Sequence, residues 1–336
     1  MSEERNKRSP RIKLRKNAAL FTATAFLVLL VIFITGKYLL HKDHKPLGAE
    51  FQTMGTLAKI SVYTSEADLL RACELGQREF EQVTAICSLY DPQSELSRLN
   101  YSAASAPFAC SDAMWTLLMR ARKAYAESGG AFDVTVKPLM DLWGFYRRRD
   151  QIPGDREIAE TMKAVGFDKL EFNEEKRTVL FTVPGMALDL GGIGKGYAVD
   201  RAAEIIAAVG IRSGVIDIGG NLRMLPEPPP GRTFYHVAIR DPHRRGESLP
   251  DMLKVAPGMA VSTSGDYERF VIFDGVRYGH LLSPLTGRPA EVTAVTVIAP
   301  KAMDADVFST SCAVGGESVA NRIKKNNPKV NIHFTR

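Results

Sequence analysis

Four glycines surround a single lysine in the segment Asp189-Leu190-Gly191-Gly192-Ile193-Gly194-Lys195-Gly196-Tyr197-Ala198. Glycine lets backbone amides approach an anion closely, and a helix that starts here would add unpaired N–H groups and the positive end of its dipole. The segment therefore predicts a phosphate-binding turn between a strand and a helix. Its spacing matches neither G-x-x-x-x-G-K-[ST] nor G-x-G-x-x-G, so the common nucleotide motifs do not identify a ligand. A tight strand-to-helix connection is the alternative.

Hydrophobic periodicity on both sides of this turn mixes helices and strands without regular alternation. Helices are predicted over residues 68–89, 112–128 and 197–209. Strands are predicted over residues 51–63, 179–183, 215–218, 235–239, 270–273 and 292–298. This irregular order indicates an α+β fold rather than a doubly wound sheet. The length of the region after residue 50 favours two closely joined domains over one large domain.

A long apolar segment follows a strongly basic N-terminus. Residues 18–35 are almost uninterruptedly apolar and, extended to residue 40, are long enough to cross a hydrocarbon core of ~30 Å as a helix. Basic residues are concentrated before this segment, which predicts that the N-terminus is cytoplasmic. We therefore expect a cytoplasmic N-terminus (1–17), a transmembrane signal anchor (18–40) in the bacterial inner membrane and a periplasmic domain (50–336). A cleavable secretory signal is the alternative.

Charge and cysteine content limit the class of protein further. The net charge of +6 owes much to the N-terminus, and no basic stripe with interleaved aromatic residues follows, so nothing indicates nucleic-acid binding. The four cysteines, at positions 73, 87, 110 and 312, lack metal-ligand spacing. Cys73, Cys87 and Cys312 lie in apolar sequence, which favours buried free thiols over disulfides.

A candidate metal site lies near the C-terminus. Asp306 and Thr310 are four residues apart, so on a helix they would present hard oxygen ligands on the same side. Magnesium suits such a sparse site because it retains several waters and often bridges a protein carboxylate to substrate phosphates. The alternative is a first helical turn in which Asp304 and Asp306 interact with the helix dipole while Ser309 and Thr310 are simply packed.

The glycine turn belongs to an ordered series of short motifs. They occupy residues 53–56, 88–92, 94–100, 130–136, 142–145, 189–198, 216–221, 264–269, 280–289 and 304–310. In this order the motifs closely resemble the ApbE family, the FAD:protein FMN transferases, over nearly the whole region after the apolar segment. The resemblance implies an α+β fold in which mixed sheets carry packed helices.

The resemblance also implies particular binding residues. It assigns a magnesium site to Asp306, Thr310 and the backbone carbonyl of Gly192. Ser309 stands where many family members carry a second aspartate, and its hydroxyl is a weaker ligand. Contacts with FAD are implied for residues that offer apolar faces, aromatic faces or polar groups: Met54, Tyr90, Ala131, Phe132, Asp133, Asp189 and Lys195. Each has an ordinary alternative, such as core packing for Met54 and Phe132 or a cap for Asp133.

Two residues are candidates for proton transfer. His280 corresponds to the family's histidine near the reaction centre, and with an unperturbed pKa near ~6.5 it could act as a general base or orient a phosphate. A structural histidine that caps a turn is the alternative. Asp266 offers a second base or an acceptor-site residue, with Ser264 as a phosphate contact. Lys195, where several members have glutamate, points toward phosphate pairing.

The resemblance implies magnesium-dependent transfer of the FMN moiety of FAD to a threonine or serine hydroxyl of a partner protein, with release of AMP. The expected partner is a membrane-bound or exported redox protein that carries the flavinylation site. Two alternatives remain at this stage. One is an FAD pyrophosphatase of the same fold that releases FMN and AMP, and the other is a non-catalytic periplasmic flavin-binding protein.

Overall fold

The computed structural model describes residues 45–239, 252–266, 269–291 and 294–335. Residues Pro46–Arg336 form one compact unit, where the sequence favours two closely joined domains. The predicted anchor and basic N-terminus, residues 1–40, lie outside the described residues. Within the described ranges, no helix is both long enough and apolar enough to span a bilayer.

The described chain alternates irregularly between helices and strands, which confirms the predicted α+β class. The α-helices are α1 (Glu66–Cys87), α2 (Glu95–Ser102), α3 (Asp112–Ser128), α4 (Lys137–Leu142), α5 (Asp155–Met162), α6 (Gly194–Ala208) and α7 (Ala302–Asn326). The strands are β1 (Leu47–Thr53), β2 (Thr56–Val62), β3 (Phe108–Ala109), β4 (Leu170–Asn173), β5 (Thr178–Phe181), β6 (Gly214–Ile218), β7 (Asn221–Met224), β8 (Tyr235–Ala238), β9 (Met252–Val255), β10 (Ala260–Gly265), β11 (Phe270–Phe273), β12 (Val276–Gly279), β13 (Ala294–Ala299) and β14 (Asn331–Thr335).

The main sheet has seven strands in the order β1-β2-β6-β7-β10-β13-β14, and all neighbouring pairs are antiparallel. Helix α7 packs on β10 and β13, while α6 lies between α1 and α7. Strand β13 is buried along its whole length, as expected for an apolar strand in the sheet interior. The two helices that carry the glycine turn and the candidate metal residues are thus held on one rigid sheet.

The N-terminal strand differs from the prediction. Residues 51–63 were expected as one strand, but β1 and β2 form a hairpin whose turn is Met54-Gly55. Both turn residues have positive φ, 49° for Met54 and 72° for Gly55, as a two-residue turn of type I′ requires. Across the turn the inward-facing positions change from odd numbers in β1 to even numbers in β2, because the paired residues Thr53 and Thr56 share a face of the sheet. The hairpin brings Met54 to the end of the sheet.

The other elements follow the sequence closely. Helix α3 has the predicted bounds, with the Ser111 side chain accepting the N–H of Met114 and Gly129 in the left-handed region at φ 67°. Helix α6 begins at Gly194, three residues earlier than expected, so Lys195 lies in its first turn. All four cysteines are free thiols, although only Cys312 is fully buried.

A second apolar cluster joins the segment that follows α4 to the β11–β12 hairpin. It joins Trp143, Phe273 and Leu282, and the indole N–H of Trp143 donates to the Gly287 carbonyl at 2.8 Å. The hairpin β11–β12 packs on this cluster through Phe273, and His280 follows directly after β12. The cluster therefore fixes the position of His280.

Candidate functional site

One large cavity collects most of the predicted functional residues. Its volume is about 1640 Å³, above the ~300–1,000 Å³ of typical small-molecule pockets, so it can hold a dinucleotide with room to spare. The predicted residues that line it are Met54, Tyr90, Ala131, Phe132, Asp133, Asp189, Gly192, Lys195, His280, Asp306 and Thr310. Asp266 and Ser309 are the two predicted residues that do not line it.

The glycine turn is held by the carboxylate that opens it. Asp189 is buried, and its Oδ1 accepts the N–H of Gly191 at 2.8 Å. Its Oδ2 accepts the hydroxyl of Tyr146 at 2.8 Å. A side chain at Gly192 would place its Cβ 3.2 Å from both Thr310 Oγ1 and a ring carbon of Phe132. Glycine is needed at this position because the turn approaches α7 and the aromatic wall so closely.

Helices α6 and α7 meet through a second glycine. The N–H of Gly196 donates to Asp306 Oδ2 at 2.9 Å. A Cβ at Gly196 would lie only 2.4 Å from the carbonyl oxygen of Ala302 and 2.8 Å from the Asp306 Cβ. Any side chain would therefore push the helices apart. The absence of a side chain lets the backbone of the glycine turn orient the candidate metal carboxylate directly.

Helix α7 receives its N-terminal cap from another helix. No side chain at its own N-cap position, Lys301, makes a capping hydrogen bond. Instead the two carboxylate oxygens of Asp200, on α6, accept the N–H groups of Ala302 at 2.9 Å and Met303 at 3.0 Å. These are two of the N–H groups that a helix start leaves unpaired. Asp200 thus fixes the turn of α7 that leads into Asp306.

The donor set around Asp306 suits a hard cation. The carboxylate of Asp306, the hydroxyl of Thr310 and the backbone of Gly192 all line the cavity, and oxygen ligands of this kind are the ones magnesium prefers. Burial raises the pKa of Asp306, while the charge of Lys195 and the Gly196 N–H oppose this shift. Among the described residues, no cluster of three His, Cys, Asp or Glu side chains could hold a metal. A metal here would rely on hydroxyl, carbonyl and water oxygens beside one carboxylate.

Ser309 does not line the cavity, but its hydroxyl is linked to the donor set through Ser264. Ser309 is fully buried, its Oγ lies 2.8 Å from Ser264 Oγ, and its hydroxyl also donates to the carbonyl of Asp306 at 3.0 Å. The same Ser264 Oγ lies 3.2 Å from Thr310 Oγ1, so one hydroxyl of β10 contacts both residues of α7. The hydroxyl of Ser309 joins α7 to the sheet.

Asp266 also lies outside the cavity lining. It follows β10, and its backbone carbonyl accepts a hydrogen bond from Arg277 at 2.8 Å. Its Cβ packs so closely on β12 that a Cβ at Gly279 would lie 2.8 Å away. Asp266 therefore joins β10 to the β11–β12 hairpin, and the structure does not bring it together with His280 in the cavity wall.

Asp133 and Tyr90 both line the cavity, and Asp133 also stabilises the backbone around it. Asp133 Oδ1 accepts the N–H of Thr135 at 2.8 Å, and Oδ2 accepts the N–H of Phe167 at 2.9 Å, which is the capping role weighed from the sequence. Burial raises its pKa. Tyr90 is 75% exposed at the rim, with its ring centroid 5.8 Å from that of Tyr146. Tyr90 is free to stack on a planar ligand.

His280 is held in one tautomer and kept neutral. Its Nδ1 lies 3.2 Å from the carbonyl of Arg269, and because a carbonyl only accepts, Nδ1 carries the proton and Nε2 the lone pair. Desolvation lowers the pKa of His280 to about 4, with the charge of Lys195 as the next cause and that of Arg269 acting the same way. Burial thus places the pKa of His280 below the ~6.5 of an unperturbed histidine.

Three lining residues were not singled out from the sequence. Tyr146 holds Asp189, and Arg269 stacks over the Tyr146 ring with 4.8 Å between guanidinium carbon and centroid. Asp217 accepts the N–H of Gly220 at 2.9 Å, and burial raises its pKa. Arg269 and Asp217 both lie within recognised motifs. The ring contacts of Arg269 are made with a distant segment, so its motif alone gave no role for it. The bond of Asp217 to Gly220 is local, but the cavity that Asp217 lines is formed by distant segments.

Comparison with known proteins identifies relatives of this chain. The ApbE family model matches residues 54–334. A FAD:protein FMN transferase of Treponema pallidum is 32% identical over 297 residues, which cover 84% of this chain and 82% of the relative. The Vibrio cholerae protein of the same name is 35% identical over 273 residues, covering 79% and 80%.

Two solved structures share the fold. An ApbE protein from Thermotoga maritima matches with a TM-score of 0.78 and 31% identity, over 86% of this chain and 94% of that one. The flavin transferase ApbE from Vibrio cholerae matches with a TM-score of 0.76 and 31% identity, over 86% and 93%. With the family model matching most of the chain, and with relatives above 30% identity along their length, this chain belongs to the ApbE family.

Proposed function

We propose that this chain is a FAD:protein FMN transferase. It would transfer the FMN moiety of FAD to a threonine or serine hydroxyl of a partner protein and release AMP. The observation that carries the proposal is the convergence of the family's flavin and metal residues on one cavity of dinucleotide size. The relatives in Treponema pallidum and Vibrio cholerae are named for the same reaction, which supports the proposal.

The charge of the cavity supports a requirement for magnesium. The lining residues of the acidic and basic types comprise four aspartates, a lysine and an arginine, besides His280, so two positive charges face up to four negative ones. A diphosphate brought into this cavity would be repelled unless a cation accompanied it. Asp306, Thr310 and the Gly192 carbonyl would hold Mg²⁺, which would supply the missing positive charge beside the diphosphate.

The protein's own residues suit an in-line phosphoryl transfer. The acceptor oxygen would form a bond to the FMN-side phosphorus while the bond from that phosphorus to the bridging oxygen breaks, and AMP leaves. The hydroxyl proton would move to Nε2 of His280, which holds a lone pair at neutral pH. Lys195, in the first turn of α6, would pair with the diphosphate near Asp306. Catalysis of this kind depends mainly on positioning and charge.

The acceptor and the location belong to the same proposal. Part of the cavity must admit a segment of another protein, and its volume of about 1640 Å³ leaves space for one. We propose that the acceptor is a membrane-bound or exported redox protein. The apolar residues 18–35 and the basic residues before them support an anchor in the inner membrane with the catalytic unit on the periplasmic side.

Product analysis tests this function. The purified chain is incubated with FAD, Mg²⁺ and a flavoprotein acceptor, and the acceptor's intact mass, AMP and free FMN are measured together. We expect one FMN group on the acceptor for each AMP released. Free FMN with an unmodified acceptor would instead identify a pyrophosphatase, and intact FAD with every acceptor tried would identify a flavin carrier. Omission of Mg²⁺ should abolish both products of the transfer.

A further inference from the structure

We propose that Arg269 binds the phosphate that is transferred. It would be the second cationic group of the cavity, in addition to Lys195. This inference rests on the proposed function, because it names the side chain that would stabilise the reacting phosphate of FAD. The resemblance gave Arg269 no role, although it ends a recognised motif. The inference depends on three features of Arg269: its place among the charges of the cavity, the way its side chain is held, and its link to His280.

Positive charge is scarce in the cavity. Of the described residues that line it, only Lys195 and Arg269 carry a permanent positive charge. Lys195 lies in the first turn of α6, next to Asp306, whose pKa its charge lowers. The charge of Lys195 acts on both Asp306 and His280, so this one lysine lies near both, while a diphosphate has two phosphate groups to neutralise. Arg269 is the cation available for the remaining phosphate.

The guanidinium of Arg269 is held in place by uncharged groups. It stacks over the Tyr146 ring at 4.8 Å and over the Phe145 ring at 5.9 Å, and one terminal nitrogen donates to the carbonyl of Phe145. Within the described ranges, the aromatic faces and this one carbonyl occupy only a small part of its five N–H donors. A guanidinium oriented in this way presents a fixed fork that matches phosphate oxygens, with little entropy to lose on binding.

Arg269 is also linked to the candidate base. Its backbone carbonyl accepts both the backbone N–H of His280 at 3.1 Å and the Nδ1–H of the same residue at 3.2 Å. The imidazole and the guanidinium are therefore fixed by one residue. If His280 takes the proton of the acceptor hydroxyl, the phosphorus under attack must lie beside His280. That phosphate is the FMN-side phosphate of FAD, and Arg269 would neutralise the charge on its oxygens.

Nucleotide binding tests this assignment without any turnover. ADP carries a second phosphate at the position of the FMN-side phosphate, and AMP lacks it. Isothermal titration with Mg²⁺ present gives the affinities of both nucleotides for the full chain and for Arg269→Gln. Because a hydrogen bond between charged groups is lost, we expect ADP affinity to fall by about 10- to 100-fold. AMP affinity should change less than about 3-fold.

A matched arginine on the same hairpin serves as the control. Arg277 stacks over Phe270 at 4.1 Å and lies outside the cavity lining, so Arg277→Gln should leave both affinities unchanged. Arg269→Lys keeps the charge without the fork, so it should lose less ADP affinity than Arg269→Gln and retain AMP affinity. If Arg269→Gln does not fold, this lysine variant decides the question through the same comparison of ADP with AMP.

Three results would overturn the assignment. They are equal affinity of the unaltered chain for ADP and AMP, unchanged ADP affinity in Arg269→Gln, or an equal fall of the ADP and AMP affinities in Arg269→Gln. The last result would mean that Arg269 only supports the cavity wall. The binding test is separate from the transfer assay. Arg269→Gln could lose ADP affinity selectively while the unaltered chain transfers FMN to no acceptor. That outcome would support the phosphate role of Arg269 and contradict the proposed transferase activity.

Discussion

Replacing Asp200 with alanine should both destabilise the protein and disturb α7, the helix that carries the candidate metal residues. The substitution removes the carboxylate that accepts the N–H groups of Ala302 and Met303 at 2.9 and 3.0 Å. Leaving a buried N–H without a partner costs about 1–3 kcal/mol, and two such groups are affected. Burial raises the pKa of Asp200, which means that the buried charge is itself unfavourable. Removing this charge therefore offsets part of the lost stability. We expect the free energy of unfolding to fall by about 2–5 kcal/mol.

Urea unfolding at pH 7, followed by tryptophan fluorescence, measures this loss. Asp200→Asn keeps one acceptor oxygen and should lose about half as much stability as Asp200→Ala. Because the cap fixes the turn that precedes Asp306, the alanine variant should also need more Mg²⁺ for half-maximal activity. A free energy of unfolding within about 0.5 kcal/mol of the unaltered protein would refute the capping role, since that is the range of ordinary surface substitutions.

Three further outcomes follow from the geometry of the cavity wall. Gly196→Ala would force a Cβ to within 2.4 Å of a backbone carbonyl of α7, so we expect a loss of about 1–3 kcal/mol in urea unfolding. Gly154→Ala, whose Cβ would meet only a side-chain atom at 3.7 Å, is the control and should change little. The pKa of His280 is lowered to about 4, so the unfolded chain takes up a proton first and stability should fall as the pH drops from ~6.5 toward 4. His280→Gln should reduce this fall, and an unchanged slope would contradict the lowered pKa. Tyr146→Phe removes the 2.8 Å hydrogen bond to Asp189, so the KM for FAD should rise by about 10-fold while the urea midpoint changes little; an unaltered KM would show that Asp189 does not need this partner.

Local spacing predicted the parts of the site that lie within one element. Asp306 and Thr310 share a helix face because they are four residues apart, and the prediction needed only the helix. The contacts of Ser309 needed the fold. The resemblance aligned Ser309 with a metal ligand, and in the structure its hydroxyl meets Ser264 of β10, which also contacts Thr310.

Contacts between distant segments could not be predicted in this way. Asp200 caps a helix that starts 102 residues later in the chain, and no local pattern records that partnership. The lowered pKa of His280 likewise depends on burial and on Lys195, which the fold brings near. The β1–β2 turn was missed because Met54-Gly55 lacks the Asn-Gly or Asp-Gly signal that marks such turns, although the inward-facing positions change from odd to even numbers across it.

The central claim is that this cavity performs flavin transfer, and one measurement tests it most directly. The intact mass of a flavoprotein acceptor is followed over time with FAD and Mg²⁺, using the unaltered chain, Asp306→Asn and Asp304→Asn. Asp304 lies on the same helix but bonds to Arg120 at 2.6 Å outside the cavity lining. We predict that the unaltered chain and Asp304→Asn add one FMN group and that Asp306→Asn adds none at the same Mg²⁺ concentration. Equal transfer by all three proteins would contradict the account.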